Sequence, residues 1–309
     1  LSGRTGKLDE LLRSKPFVFS VHRVSQSQLD YVFFVSLSDL SDFNLIQTLA
    51  KQYHSRDDFR FQERTYQDII IHEAVNNEYE EVFSYLIHKN YFIGSFTPFL
   101  VEDVIRNITD KTKNSFAISN PGLFEVAKLD NDQGNIYINN QRIPQLLSVF
   151  TNETISPELL PLGQLAQSTF LDIKVNDYEV LLNGFTVVDP EKNPYLYSVA
   201  GSQVNSLDFD QLISNETATL YHLTFANSQV WHQRLQAYWN QHQPQQYQSW
   251  EGLTTQYQRN PAELIANQSG GLGMAVLGTV DGEHPDRIIY LRMSDLELGL
   301  AQLRELSEN

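Results

Sequence analysis

The side chains able to do chemistry are few and scattered. Eight histidines occur: His22, His54, His72, His88, His222, His232, His242 and His284. No HExxH or HxH spacing joins any two. His72 is the only histidine followed directly by an acid, Glu73, and neighbouring strand residues point to opposite faces, so the two cannot share one metal directly. A metal site built from distant strands is left open, but ordinary strand histidines are the simpler account. The chain has no cysteine, which removes disulfides, thiolate nucleophiles and Cys–zinc sites. No G-x-S-x-G elbow is present. Asp130-Asn131-Asp132-Gln133-Gly134-Asn135 begins like a calcium loop. It fails at Asn135, where glycine must turn the chain, and at Gln141, which cannot give a bidentate carboxylate; a polar hairpin turn is the better reading. Gly3-Arg4-Thr5-Gly6-Lys7 has the composition of a phosphate loop without its preceding strand, and Leu8 stands where Ser or Thr should bind magnesium. Ser269-Gly270-Gly271-Leu272-Gly273 precedes a strand, so it lacks the helix N-terminus that holds dinucleotide phosphates. Acid pairs such as Asp57-Asp58, Glu80-Glu81 and Asp208/Asp210 read as solvated turns or edges. No catalytic residue, metal or cofactor is assigned.

One stretch could hold a ligand. Residues 229–258 contain ten glutamines and all three tryptophans. Trp231, Trp239, Tyr247, Trp250 and Tyr257 are the candidate binding residues. Aromatic faces beside amides suit sugar rings, which stack their C–H faces and hydrogen-bond their hydroxyls. The competing reading is a helical pair with an aromatic core: Trp231, Leu235, Tyr238 and Trp239 share one helical face, and Trp250, Leu253 and Tyr257 another.

Composition narrows the classes. The 309 residues are 41% hydrophobic and 12% aromatic, with a formal net charge of −16. Such a chain buries a large core and fits two domains. Its acidity repels phosphate backbones, so nucleic acid is not an expected partner. No apolar run reaches the roughly 20 residues that span a bilayer. Residues 1–7 read as a flexible lead-in, which fits an export segment or membrane anchor removed upstream.

The elements follow from periodicity and punctuation. A short helix is expected at 8–14, a half-buried strand from Phe17, and a strand over Tyr31–Leu37 that is apolar on both faces. Ser38 or Asp39 caps a helix carrying Leu40, Phe43, Ile46, Leu49 and Tyr53. Strands follow at 59–64, 66–73, 80–88 and 91–95, and then a helix capped by Thr97 with Pro98 in its first position. A hairpin is read over 123–129 and 135–139, and a short helix over 143–150. The Pro/Gly-rich segment 151–168 marks a boundary, which gives domains at 8–155 and 156–309. The second half reads as strands at 169–175, 178–188, 196–200 and 219–225, a short helix at 207–213, and helices at 228–242, 247–258 and 260–267. Gly270, Gly271 and Gly273 form a loop before a final hairpin and helix, where Ser294 and Glu297 make a capping box.

Residues 16–40 align on 272–296 without a gap, and looser copies end near 108 and 242. The expectation is an α+β fold: mostly antiparallel sheets with amphipathic helices on one face, in two related domains of repeated hairpin–helix units. The segments PFVFSVH…LDYVFFVSLSDL (16–40), YFIGSFTPFLVEDVI (91–105), ATLYHLTFANSQVW (218–231) and GMAVLGTVDG…DRIIYLRMSDLELGLAQL (273–303) resemble an uncharacterised family of large exported proteins of Gram-negative bacteria. The resemblance implies export, an N-terminal lipid or helical anchor, a propeller-like C-terminal region and a non-catalytic role, and it carries over no catalytic residue. The leading expectation is a non-enzymatic exported binding or scaffold protein of the cell envelope, with a protein or glycan partner. A carbohydrate-binding or carbohydrate-acting protein using 229–258 is the alternative. A hydrolase whose acids meet only in three dimensions is a third.

Overall fold

The computed structural model describes residues 15–37, 58–110, 115–125, 133–152, 156–201, 210–225, 227–257, 268–277 and 286–307. The chain is an α+β protein, with three antiparallel sheets among the described residues. It divides into two compact units, 1–124 with 142–159, and 125–141 with 160–309. The expected helices at 8–14, 40–53 and 260–267 lie outside the described residues.

The first unit is built on six strands: β1 (Phe17–Arg23), β2 (Leu29–Ser36), β3 (Phe59–Tyr66), β4 (Ile69–Asn76), β5 (Val82–His88) and β6 (Tyr91–Ser95). Their order across the sheet is β1-β2-β6-β5-β4-β3. The β3–β4 hairpin closes through Gln67 and Asp68, both at positive φ. A two-residue loop with that twist matches the flanking strands even without glycine. At the next turn the Asn76 carboxamide oxygen accepts the N–H groups of Glu78 and Tyr79, a local bond that asparagine offers in place of strand pairing.

Helix α1 (Pro98–Thr109) covers one face of this sheet. Leu100, Val101 and Ile105 pack on Val32, Ile71, Leu86 and Ile93. Each such side chain, fully buried, contributes roughly 1.5–3 kcal/mol. Thr97 stands at the N-cap as expected, but its side chain makes no cap bond. Its hydroxyl donates to the buried Asp30 carboxylate instead, which ties the start of α1 to β2. The unit also holds the one-turn helices α2 (Phe116–Ser119) and α3 (Gly122–Glu125), and α4 (Ile143–Leu147).

The second unit contains β7 (Gly134–Asn139), β8 (Ser168–Val175) and β9 (Val180–Val187) in one sheet, and β10 (Thr217–Thr224), β11 (Gln268–Leu277) and β12 (Arg287–Met293) in another. Among the described residues its α-helices are α5 (Ser228–His242), α6 (Pro244–Tyr257) and α7 (Leu296–Ser307). Phe225, Trp231, Leu235 and Tyr238 form its core, flanked by Tyr195, Val199, Trp239 and Leu272.

Several local expectations are corrected. Residues 122–125 are helical, and β7 finds its partner in β8 rather than in an upstream strand. Residues 195–199 form a 3-10 helix after Pro194 rather than a strand. Gly270, Gly271 and Gly273 lie inside β11. At Gly271 a Cβ would stand 3.2 Å from the Leu223 carbonyl oxygen of the neighbouring strand, so the absent side chain allows close strand approach. Asp295 rather than Ser294 caps α7, since its carboxylate accepts the Leu298 N–H at 3.0 Å. Strand β1 is exposed along nearly its whole length rather than half-buried. Among the described residues no helix is long and apolar enough to cross a membrane.

Candidate functional site

The sequence directs attention first to α5 and α6. Asn227 caps α5 by accepting the Val230 N–H, and the cap at Gln243 together with Pro244 separates the two helices. Trp231 is 6% exposed and stacks on Phe225 at 4.9 Å between ring centroids. Trp239 and Trp250 are half-buried and lie 5.7 Å apart, with His232 on the other side of Trp250 at 5.3 Å. The tryptophans therefore contact core residues or one another. Tyr247 is half-buried beside Glu251, whose carboxylate pushes the phenol pKa up. The Tyr257 side chain lies outside the described residues. Four of the five candidates are thus placed, and Trp239 and Trp250 are brought together.

A small cavity opens at the C-terminal end of α5. Its walls include Gln141, Gln164, Gln167, Gln241 and His242, with Ala166 and Pro194 buried beneath them and the Asp189–Lys192 ion pair at the rim. The Gln164 amide oxygen accepts the Tyr238 hydroxyl, the Gln241 amide oxygen accepts from Asn193, and the His242 ring bonds the Lys192 carbonyl at 2.8 Å. The cavity measures about 150 Å³. Pockets for ordinary small molecules run to roughly 300 Å³ and above, so this one admits only a small polar group.

The larger feature lies on the first unit, and the sequence reading did not single it out. The sheet face turned away from α1 carries three rows of mainly apolar side chains, read from the strand register. Phe17 pairs with Val35, Val35 with Phe92, and Phe92 with Ile87. Phe19 pairs with Phe33, and the row runs on through Gly94, Tyr85, His72 and Glu63. Val21 pairs with Tyr31, and Phe83 with Ala74 and Ala74 with Phe61. Rings touch along the face: Tyr31 with Phe33 at 5.8 Å, Phe83 with Tyr85 at 6.1 Å, Phe83 with Phe96 at 5.0 Å, Tyr85 with Phe92 at 5.3 Å. Gly94 lies at the centre because the Phe83 ring occupies the space a Cβ would take.

This face is open. Phe17 is 52% exposed, Phe19 55%, Tyr31 44% and Phe96 56%. An antiparallel sheet packed on one side normally turns polar side chains outward on the other. Here the outward side is aromatic. Its ionisable groups besides the tyrosines are Arg23 at one edge, and Glu63 with His72 toward the other, the last two 3.0 Å apart. The signal was present in the spacing. Phe17/Phe19/Val21, Tyr31/Phe33, Phe83/Tyr85 and Phe59/Phe61 each repeat at two residues. Only the register shows that these alternations share a face, and that α1 takes the other one.

Several described groups that could do acid–base work have partners of their own. Ser20 Oγ lies 2.8 Å from His22 Nε2, and burial lowers the His22 pKa against the opposing pull of Asp103 and Asp30. A nucleophile–base pair also needs a third group to orient the base. The Asp30 carboxylate accepts from Tyr31 N–H and the Thr97 hydroxyl, and Asp103 pairs with Arg106. Glu73 and Glu102 both bind Arg64. Burial alone would raise the Glu73 pKa, but bonds from Arg64, Gln62 and Ser84 bring it below the ordinary carboxylate value. Among the described residues no group of three His, Asp or Glu side chains could hold a metal ion.

Comparison with family models, with curated proteins and with solved structures found no match. The class of protein is therefore set by the fold alone: an α+β chain with antiparallel sheets, one of which carries an open aromatic face.

Proposed function

We propose that this is a non-enzymatic binding or scaffold protein, and that the open aromatic face of the six-stranded sheet is its docking surface. The exposure of Phe17, Phe19, Tyr31 and Phe96 on one continuous face carries the reading. Contiguous apolar patches of this size mark interaction sites on soluble proteins. The partner is an apolar protein surface, because the face offers rings and aliphatic groups and few hydrogen-bonding ones. Export and an envelope location belong to this proposal through the resemblance of the hairpin–helix units alone. The test is a crosslinking pull-down from envelope extracts with the wild type and with Phe19→Asp. A partner captured by the wild type and lost with the variant supports the reading. Equal capture by both refutes it.

The carbohydrate reading rests on the glutamine-lined cavity beside α5, which has room for a polar edge of a sugar and not for a whole oligosaccharide, rather than on the tryptophans, whose rings contact core residues or each other. Calorimetric titration with a panel of simple sugars tests it. Binding that Gln241→Ala weakens about tenfold, or 1.4 kcal/mol, would favour this reading; no heat with any sugar would end it.

A further inference from the structure

We infer that the occupant of the aromatic face is a second copy of this chain, the two sheets packing face to face around a two-fold axis. The inference rests on the docking reading above and names its partner. The face is mainly apolar in every row, so it complements itself, as an isologous interface must. With the four open rings, Val21, Ile70 and Ile87 are also exposed on it. At about half exposure, these seven side chains leave roughly 600 Å² of apolar area per copy. A standard interface takes about 800 Å² from each partner, a little over half of it apolar. The face therefore supplies the apolar share of one such interface and little beyond it.

Other occupants fit less well. A glycan needs donors and acceptors for its hydroxyls, and no tryptophan or glutamine stands on this face. Single-stranded nucleic acid stacks on such rings only where a basic groove follows its backbone. An anionic lipid surface likewise needs a basic rim. The strand positions of the face carry one cation, Arg23, on a chain of net charge −16. That cation lies on β1 and Glu63 lies on β3, the two outer strands of the sheet. A two-fold axis parallel to the strands lays β1 of one copy across β3 of the other; Glu63 is level with Phe19 and four residues along from Arg23, so the match between the copies is apolar rather than electrostatic. Stacked sheets then stand about 10 Å apart and interdigitate their side chains.

Sedimentation of the full chain from about 1 to 100 µM tests this. The wild type is expected to dimerise. Phe19→Asp should weaken the dimer at least tenfold. Val18→Asp should not, because Val18 is the next residue on the same strand and points to the opposite face. Circular dichroism checks that each variant folds, and Tyr31→Ser replaces Phe19→Asp if the latter does not. A wild type that stays monomeric overturns the dimer, while the docking reading stands or falls on its own pull-down. Dimerisation that both aspartates leave unchanged, or weaken equally, overturns it as well.

Discussion

His232 illustrates what one residue can reveal. It lies within α5 at 6% exposure, and its Nε2 has no hydrogen-bond partner among the described residues. Burial lowers its pKa from the ordinary 6.5. The folded protein therefore favours the neutral ring, and the unfolded chain binds the proton more readily. The His232 contribution is fully present above pH 6.5 and is lost as the pH falls from there through the lower folded-state value. Trp250 stands beside the ring, with Trp239 next to it, and the pair reports locally. A fall in Tm between pH 7 and the folded-state value is expected, together with a change in tryptophan emission. His232→Phe should flatten both. A wild type whose Tm and emission do not change over that window would refute the assignment. The sequence showed His232 only as one of eight histidines; its burial depends on α6 bringing Trp250 over it, a contact between residues 18 apart that no local pattern encodes.

Glycine and caps decide matters at the element scale. A Cβ at Gly184 in β9 would stand 1.9 Å from the Phe170 carbonyl oxygen of β8. Backbone cannot yield as a side-chain tip does, so Gly184→Ala should cost at least about 1–3 kcal/mol, read as a fall in the denaturant midpoint. Asp295→Ala should cost about 1 kcal/mol by removing the cap of α7, while Ser294→Ala should cost almost nothing. The sequence placed α7 and its Glu297 correctly but shifted the cap by one residue, because S-D-L offers two capping side chains and only backbone geometry chooses between them. Strand spans at 91–95, 168–175 and 180–187 and the helix at 228–242 were legible for a simpler reason: periodicity and punctuation agree there. The glycine-rich start of β11 was not legible, since glycine marks loops and close strand approach alike. Leu296, Leu300 and Leu303 repeat at helical spacing along α7, yet all three are exposed; periodicity shows a face and not what covers it.

Net charge acts on the molecule as a whole. Each copy carries −16 at pH 7, and the isoelectric point is about 4.8. Two copies pressed together repel through the charge outside the aromatic face, although the face itself is nearly neutral. Salt screens that repulsion, with a Debye length of about 10 Å at 0.1 M and about 3 Å at 1 M, and it leaves the apolar contact intact. The dimer should therefore tighten as ionic strength rises, opposite to a pair held by salt bridges. Lowering the pH toward the isoelectric point should tighten it too, as the net charge falls. Nonspecific precipitation near that point obeys the same charge argument but ignores which residue stands at position 19. Sedimentation over a salt series and a pH series, run on the wild type and Phe19→Asp side by side, separates the two. Tightening in the wild type alone is the result expected of a defined face-to-face dimer, and parallel behaviour in both proteins would assign the association to charge loss rather than to the sheet.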